Sequence, residues 1–236
     1  MVKIKSYIEL IRKLPEKEHS FVIKEKNWNK RFELSDDFLK KYFKNGSLEI
    51  SRGELFKLPK EQREVTEEFV IKVLMWGYPT GGRGNNIKTL LKPQNKKQIV
   101  AILNTYKHQD VLKTEELRKV LQGKNKILGL GLSTMSKFLY FLKIDIDAKD
   151  NRSVILDQRI IDVVNDKVFD DFDLPKITSY NALKLYSKYL KRMKDIAEEV
   201  DCSVGQLEMF LFIFGNKFML KLARTLILKT TEINQG

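Results

Sequence analysis

Gly129-Leu130-Gly131 leads directly into Leu132-Ser133-Thr134 and Lys137, and Asp157 stands 24 residues after Ser133. Glycine on both sides of Leu130 permits positive φ and close approach of another backbone. A helix that opens after such a turn presents unpaired N–H groups and a partial positive charge. That combination holds a phosphate without reading a base. Leu130 is expected to point inward and anchor the turn. Asp157 precedes the helical pattern of Ile160, Ile161, Val163 and Val164, so it is expected to cap that helix. Backbone N–H groups and the helix dipole favour a carboxylate there. A carboxylate so placed could stabilise a growing positive charge and orient water. Each feature has a plainer reading, the glycines as a helix–turn–helix corner and Asp157 as a cap alone.

Lys137 lies four residues after Ser133, on the same helical face. The core stripe of that helix is Met135, Phe138, Leu139 and Leu142. Lys137 is therefore expected to point away from the core, toward a phosphate. Its second reading is an amine able to form a Schiff base. A dinucleotide fingerprint is excluded because Thr134 stands where the third glycine should be. A nucleotide P-loop is excluded because Gly-Lys-Ser/Thr is absent.

The elements that must position these residues read mostly as helices. Tyr7, Ile8, Ile11 and Leu14 form one stripe, and Phe69, Val70, Val73 and Leu74 form another within a helix over Val65–Trp76 that ends at Gly77. Ser35-Asp36-Asp37 reads as a cap before Phe38 and Leu39. Further helices are expected near Ile87–Leu91, Lys96–Tyr106, Glu115–Leu121, Ser133–Leu142 and Gln158–Val164. After an Asp- and Pro-rich break at Asp170–Pro175, helices follow at Tyr180–Val200, Val204–Phe214 and Lys217–Leu228. Leu48–Leu58 alternates loosely around Arg52-Gly53 and suggests a short β-hairpin. The fold class is mainly α.

Composition narrows the function classes. The 236 residues carry 44 Lys and Arg against 31 Asp and Glu, a formal charge of +13 that favours a polyanionic partner. A general lysine bias is the competing explanation. The single Cys202, with only His19 and His108, excludes a disulfide framework, an iron–sulfur cluster and a Cys/His zinc site within one chain. Lys3, Lys5, Glu9 and Arg12 interrupt any signal-peptide pattern, and the apolar run Met209–Phe214 is too short to span a bilayer. The expectation is a protein without membrane association, cytoplasmic and nucleoid-associated in a prokaryote or nuclear in a eukaryote.

The hairpin Ile127-Leu128-Gly129-Leu130-Gly131, together with Asp157 in Ile155-Leu156-Asp157, resembles the helix-hairpin-helix DNA glycosylase superfamily. The stretch Ser203-Val204-Gly205-Gln206-Leu207-Glu208-Met209-Phe210-Leu211-Phe212 is similar to the last helix of compact prokaryotic 8-oxoguanine-glycosylase-fold proteins. The resemblance implies a two-lobed helical fold over 1–236, with one lobe at 60–165 and the other at 1–59 plus 166–236. It implies a monomer that bends double-stranded DNA and flips a nucleotide between the lobes. Gly129, Gly131, Ser133, Thr134 and Lys137 would hold the lesion strand, with Lys126 on a nearby phosphate, and Asp157 would be catalytic.

The loop Gly77–Asn86 offers Arg83, Asn85 and Asn86 to fill the gap left by a flipped base. Trp76 and Tyr78 could stack on that base and Phe210 could line its pocket, against a competing core reading for each. No cofactor is implied, although a structural monovalent cation at the hairpin is compatible with the resemblance. The chain departs from the family pattern in two ways. The usual hairpin proline is missing, and Ser133 stands where bifunctional members carry a nucleophilic lysine. Ser133-Thr134 is similar instead to monofunctional adenine glycosylases, whose four-cysteine cluster one cysteine cannot supply. The expected activity is therefore excision of 8-oxoguanine or a related purine by Asp-assisted hydrolysis, without strong strand cleavage. The alternative is a non-catalytic DNA-binding module on the same fold, in a defence or repair assembly.

Overall fold

The computed structural model describes residues 2–32, 41–43, 45–81 and 86–215. The expected cap at Ser35-Asp36-Asp37 and the expected helix Lys217–Leu228 lie outside the described residues, as do Arg83 and Asn85. The described chain is mainly helical with one two-stranded antiparallel sheet. Among the described residues no helix is long and apolar enough to cross a membrane. The chain forms two compact units, Pro15–Ile155 and Met1–Leu14 with Leu156–Gly236.

In the unit Pro15–Ile155, strand β1 (Ser20–Lys24) pairs with β2 (Ser47–Ser51) in the register Phe21 opposite Ile50 and Ile23 opposite Leu48. A two-stranded element is thus present, but its strands are not joined at Arg52-Gly53. Residues Arg52–Glu61 form a helix, α3, following α2 (Glu25–Phe32). The reason is a local signal: Ser51 caps α3 by accepting the Glu54 N–H at 3.1 Å. Helix α4 (Glu67–Gly77) starts at the cap Thr66 and is buried from Phe69 through Trp76. It is the central helix of the unit and packs against the sheet, α3, α6 (Pro93–Lys107) and α8 (Leu132–Leu142). Between these lie α5 (Asn86–Leu90) and α7 (Thr114–Leu121).

In the other unit, a 3-10 turn (Ile4–Tyr7) and α1 (Ile8–Arg12) accompany α9 (Gln158–Asn165), α10 (Ala182–Glu199) and a helix, α11, over 204–215. Val2 bridges to Phe169, and the Ile4 N–H donates to the Asp171 carboxylate at 2.8 Å, which ties the N-terminal segment in place. Ser203 and Gln206 form a reciprocal capping box at the start of α11. The Gln206 N–H donates to Ser203 Oγ at 2.9 Å, and the Ser203 N–H donates to Gln206 Oε1 at 3.0 Å. The Gln206 amide nitrogen also donates to the Arg12 carbonyl at 2.7 Å, joining α11 to α1.

Candidate active site

The turn before α8 follows from three residues. Ile127 and Leu130 are buried, at 3% and 4% exposure, so they anchor the turn as their apolar character dictates. Gly129 has φ +84°, and a Cβ there would lie 2.9 Å from the Asn86 carbonyl oxygen. Both the backbone conformation and the close approach of α5 require glycine at this position. Gly131 differs, since a Cβ there would meet nothing within 4 Å. Its surroundings are open, and it is the N-cap of α8, with no side chain to close the first turn. Lys124, Lys126 and Leu128 are exposed around the hairpin. Asn86, expected beside a flipped base, is also exposed, and its backbone is the wall against which Gly129 packs.

At the start of α8 the structure corrects the expected direction of Lys137. Thr134 is 5% exposed, and its hydroxyl lies 2.8 Å from the Tyr78 hydroxyl, so it ties α8 to the end of α4. Lys137 is 3% exposed and does not point to solvent. The reason is that α8 is buried all round from Thr134 to Phe141. The Lys137 chain folds back one turn, and its Nζ donates to the Ser133 carbonyl at 3.1 Å and to Ser133 Oγ at 3.3 Å. The same nitrogen lies 5.4 Å from the centre of the Tyr78 ring, at cation–π distance. The i, i+4 spacing was visible in sequence. The backward fold was not, because it depends on α4.

Two aromatic expectations also resolve to their core readings. Trp76 is 3% exposed, edge-on to His19, Phe21 and Phe141. Phe210 is fully buried among Tyr7, Phe169 and Phe214. Tyr78 is half-buried.

In the unit containing α9, Asp157 is half-buried and caps the helix as expected, with Oδ1 accepting the Ile160 N–H at 3.2 Å. Val154, Ile155 and Leu156, just before it, are each 1% exposed and hold the chain that leads to the cap. Tyr189 and Glu208 belong to the same environment and were missed by sequence reasoning. Burial first, then the charges of Glu208 and Asp157 and the neighbouring Tyr186, hold the Tyr189 phenol well above its ordinary pKa, so it remains protonated. The signal for Glu208 was a lone carboxyl inside the apolar run Leu207–Leu211, where it is 1% exposed. Among the described residues, no group of three or more His, Cys, Asp and Glu residues could hold a metal ion.

A family model described as "Putative 8-oxoguanine DNA glycosylase OGG-like protein" matches residues 15–212. Searches of curated proteins and of solved structures returned no match.

Proposed function

The chain belongs to the OGG-like protein family, and on that premise we propose that it is a DNA glycosylase that releases 8-oxoguanine or a related modified purine from duplex DNA. The observation that carries the reading is the family match over both the glycine hairpin and the Asp157 cap. The open surroundings of Gly131 and the uncapped first turn of α8 suit a phosphate of the lesion strand. Exposed Lys124 and Lys126 add charge beside it. As the N-glycosidic bond breaks, its electron pair leaves with the purine, which takes up a proton, and positive charge grows on the sugar. The Asp157 carboxylate stabilises that charge. In the hydrolytic reading it also accepts the proton of the water whose oxygen bonds to C1′.

A second reading has a specific observation in its favour, the seating of the Lys137 amine on Ser133. In its uncharged form the amine attacks C1′, the bond pair leaves with the purine, and the purine takes up the proton that the new C–N bond displaces from nitrogen. The sugar ring then opens to an imine, and loss of a C2′ proton expels the 3′ phosphate. A panel of duplexes carrying 8-oxoguanine, mispaired adenine, alkylated purines and oxidised pyrimidines tests both readings. Base release without a borohydride-trapped adduct supports hydrolysis. A trapped adduct that disappears in Lys137→Ala supports the amine. Duplex binding with no base released on any lesion would return the protein to a binding module.

A further inference from the structure

We propose that Gly77 is the positioning residue that seats the Lys137 amine, an inference resting on the amine reading above. Gly77 ends α4 where the Lys137 stem of α8 lies against it. A Cβ on Gly77 would stand 2.8 Å from Lys137 Cδ and 3.0 Å from Cε. The space that a side chain would fill on α4 is the space that the lysine stem fills from α8. Backbone conformation does not require glycine there, because Gly77 is absent from the positive-φ glycines. The requirement is room for the stem.

The rest of the seat is built on both sides of that gap. Tyr78, the next residue, places its ring 5.4 Å from Nζ and its hydroxyl 2.8 Å from Thr134 Oγ1. The Tyr78–Thr134 contact pins the end of α4 to the first turn of α8. Ser133 then offers two acceptors to Nζ. A lysine placed one turn beyond Ser133 thereby delivers its amine to the level of Ser133. Any side chain at residue 77 would push the stem out and move the amine away from Ser133. The obstructing atoms belong to the end of a flexible chain, so α4 and α8 need not separate to relieve the clash.

The test uses the full chain and a duplex carrying 8-oxoguanine opposite cytosine, or the panel duplex with the highest wild-type base release. Gly77→Ala is expected to lower the single-turnover rate and the yield of borohydride-trapped adduct at saturating enzyme at least ten-fold. The duplex Kd should stay within two-fold and the melting temperature within a few degrees. A merely structural glycine would move Kd and melting temperature and spare the saturated rate. Unchanged trapping in Gly77→Ala overturns the proposal while leaving the amine reading intact. Absence of trapping in the wild type overturns the amine reading and the proposal with it. Should Gly77→Ala fail to fold, Ser133→Ala tests the same seat without adding an atom. Its trapping yield is expected to fall two- to five-fold, and an unchanged yield counts against the seat.

Discussion

At the scale of single residues, Asp157 and His19 call for different tests, one of proposed chemistry and one of packing. Asn caps a helix about as well as Asp, so Asp157→Asn should leave the melting temperature nearly unchanged. Loss of the carboxylate charge should lower base release roughly 100-fold or more. Stability measured alongside single-turnover release separates these effects, and unchanged release would sink the assignment of Asp157. His19 accepts a hydrogen bond from Arg52 Nε at 3.2 Å, and Arg52 is fully buried. Burial first, then the Arg52 charge, depress the His19 pKa to about 4. The unfolded chain, near 6.5, therefore binds more protons than the native state in the interval between those values. The His19 contribution to stability is full above about 6.5 and declines as pH falls toward 4. His19→Gln retains an acceptor for Arg52 but does not titrate. Between pH 7 and pH 5 the wild type should lose a few degrees more in melting temperature than this variant.

At the scale of elements, the two hairpin glycines do different work. Gly129→Ala forces a β-carbon against the Asn86 carbonyl at positive φ, so it should destabilise by about 1–2 kcal/mol. Gly131→Ala meets no atom and should stay within about 0.5 kcal/mol of wild type, while weakening duplex binding where a phosphate would approach. Melting curves and duplex titrations on the pair distinguish the roles, and equal destabilisation would contradict this division. Much at this scale was legible in sequence. Asp157 caps α9, and α4 stops at Gly77. The strand pairing was less legible. Ser47–Ser51 was recognisable, but its partner Ser20–Lys24 lies beyond an intervening helix, and Ser51 makes the following residues helical.

At the scale of the whole molecule, the formal charge of +13 predicts salt-sensitive duplex binding. A chain that neutralises about six phosphates loses roughly three orders of magnitude in affinity between 50 and 200 mM salt. Lys124→Ala with Lys126→Ala should flatten the log Kd against log salt slope by about two, if both contact phosphate. An unchanged slope would move the DNA-binding face away from the hairpin.

Sequence by itself determined the helical class, the caps, the inward Leu130 and the positive charge, because each follows from local patterning or composition. It also carried the resemblance that the family match supports at the level of family. Tertiary structure alone decided the burial of Trp76 and Phe210, the Thr134–Tyr78 tie and the backward fold of Lys137. Residue spacing sets the face of a helix from which a side chain departs. Where a long, flexible side chain ends depends on its neighbours, and for Lys137 the decisive neighbour is a glycine 60 residues away that leaves room for its stem.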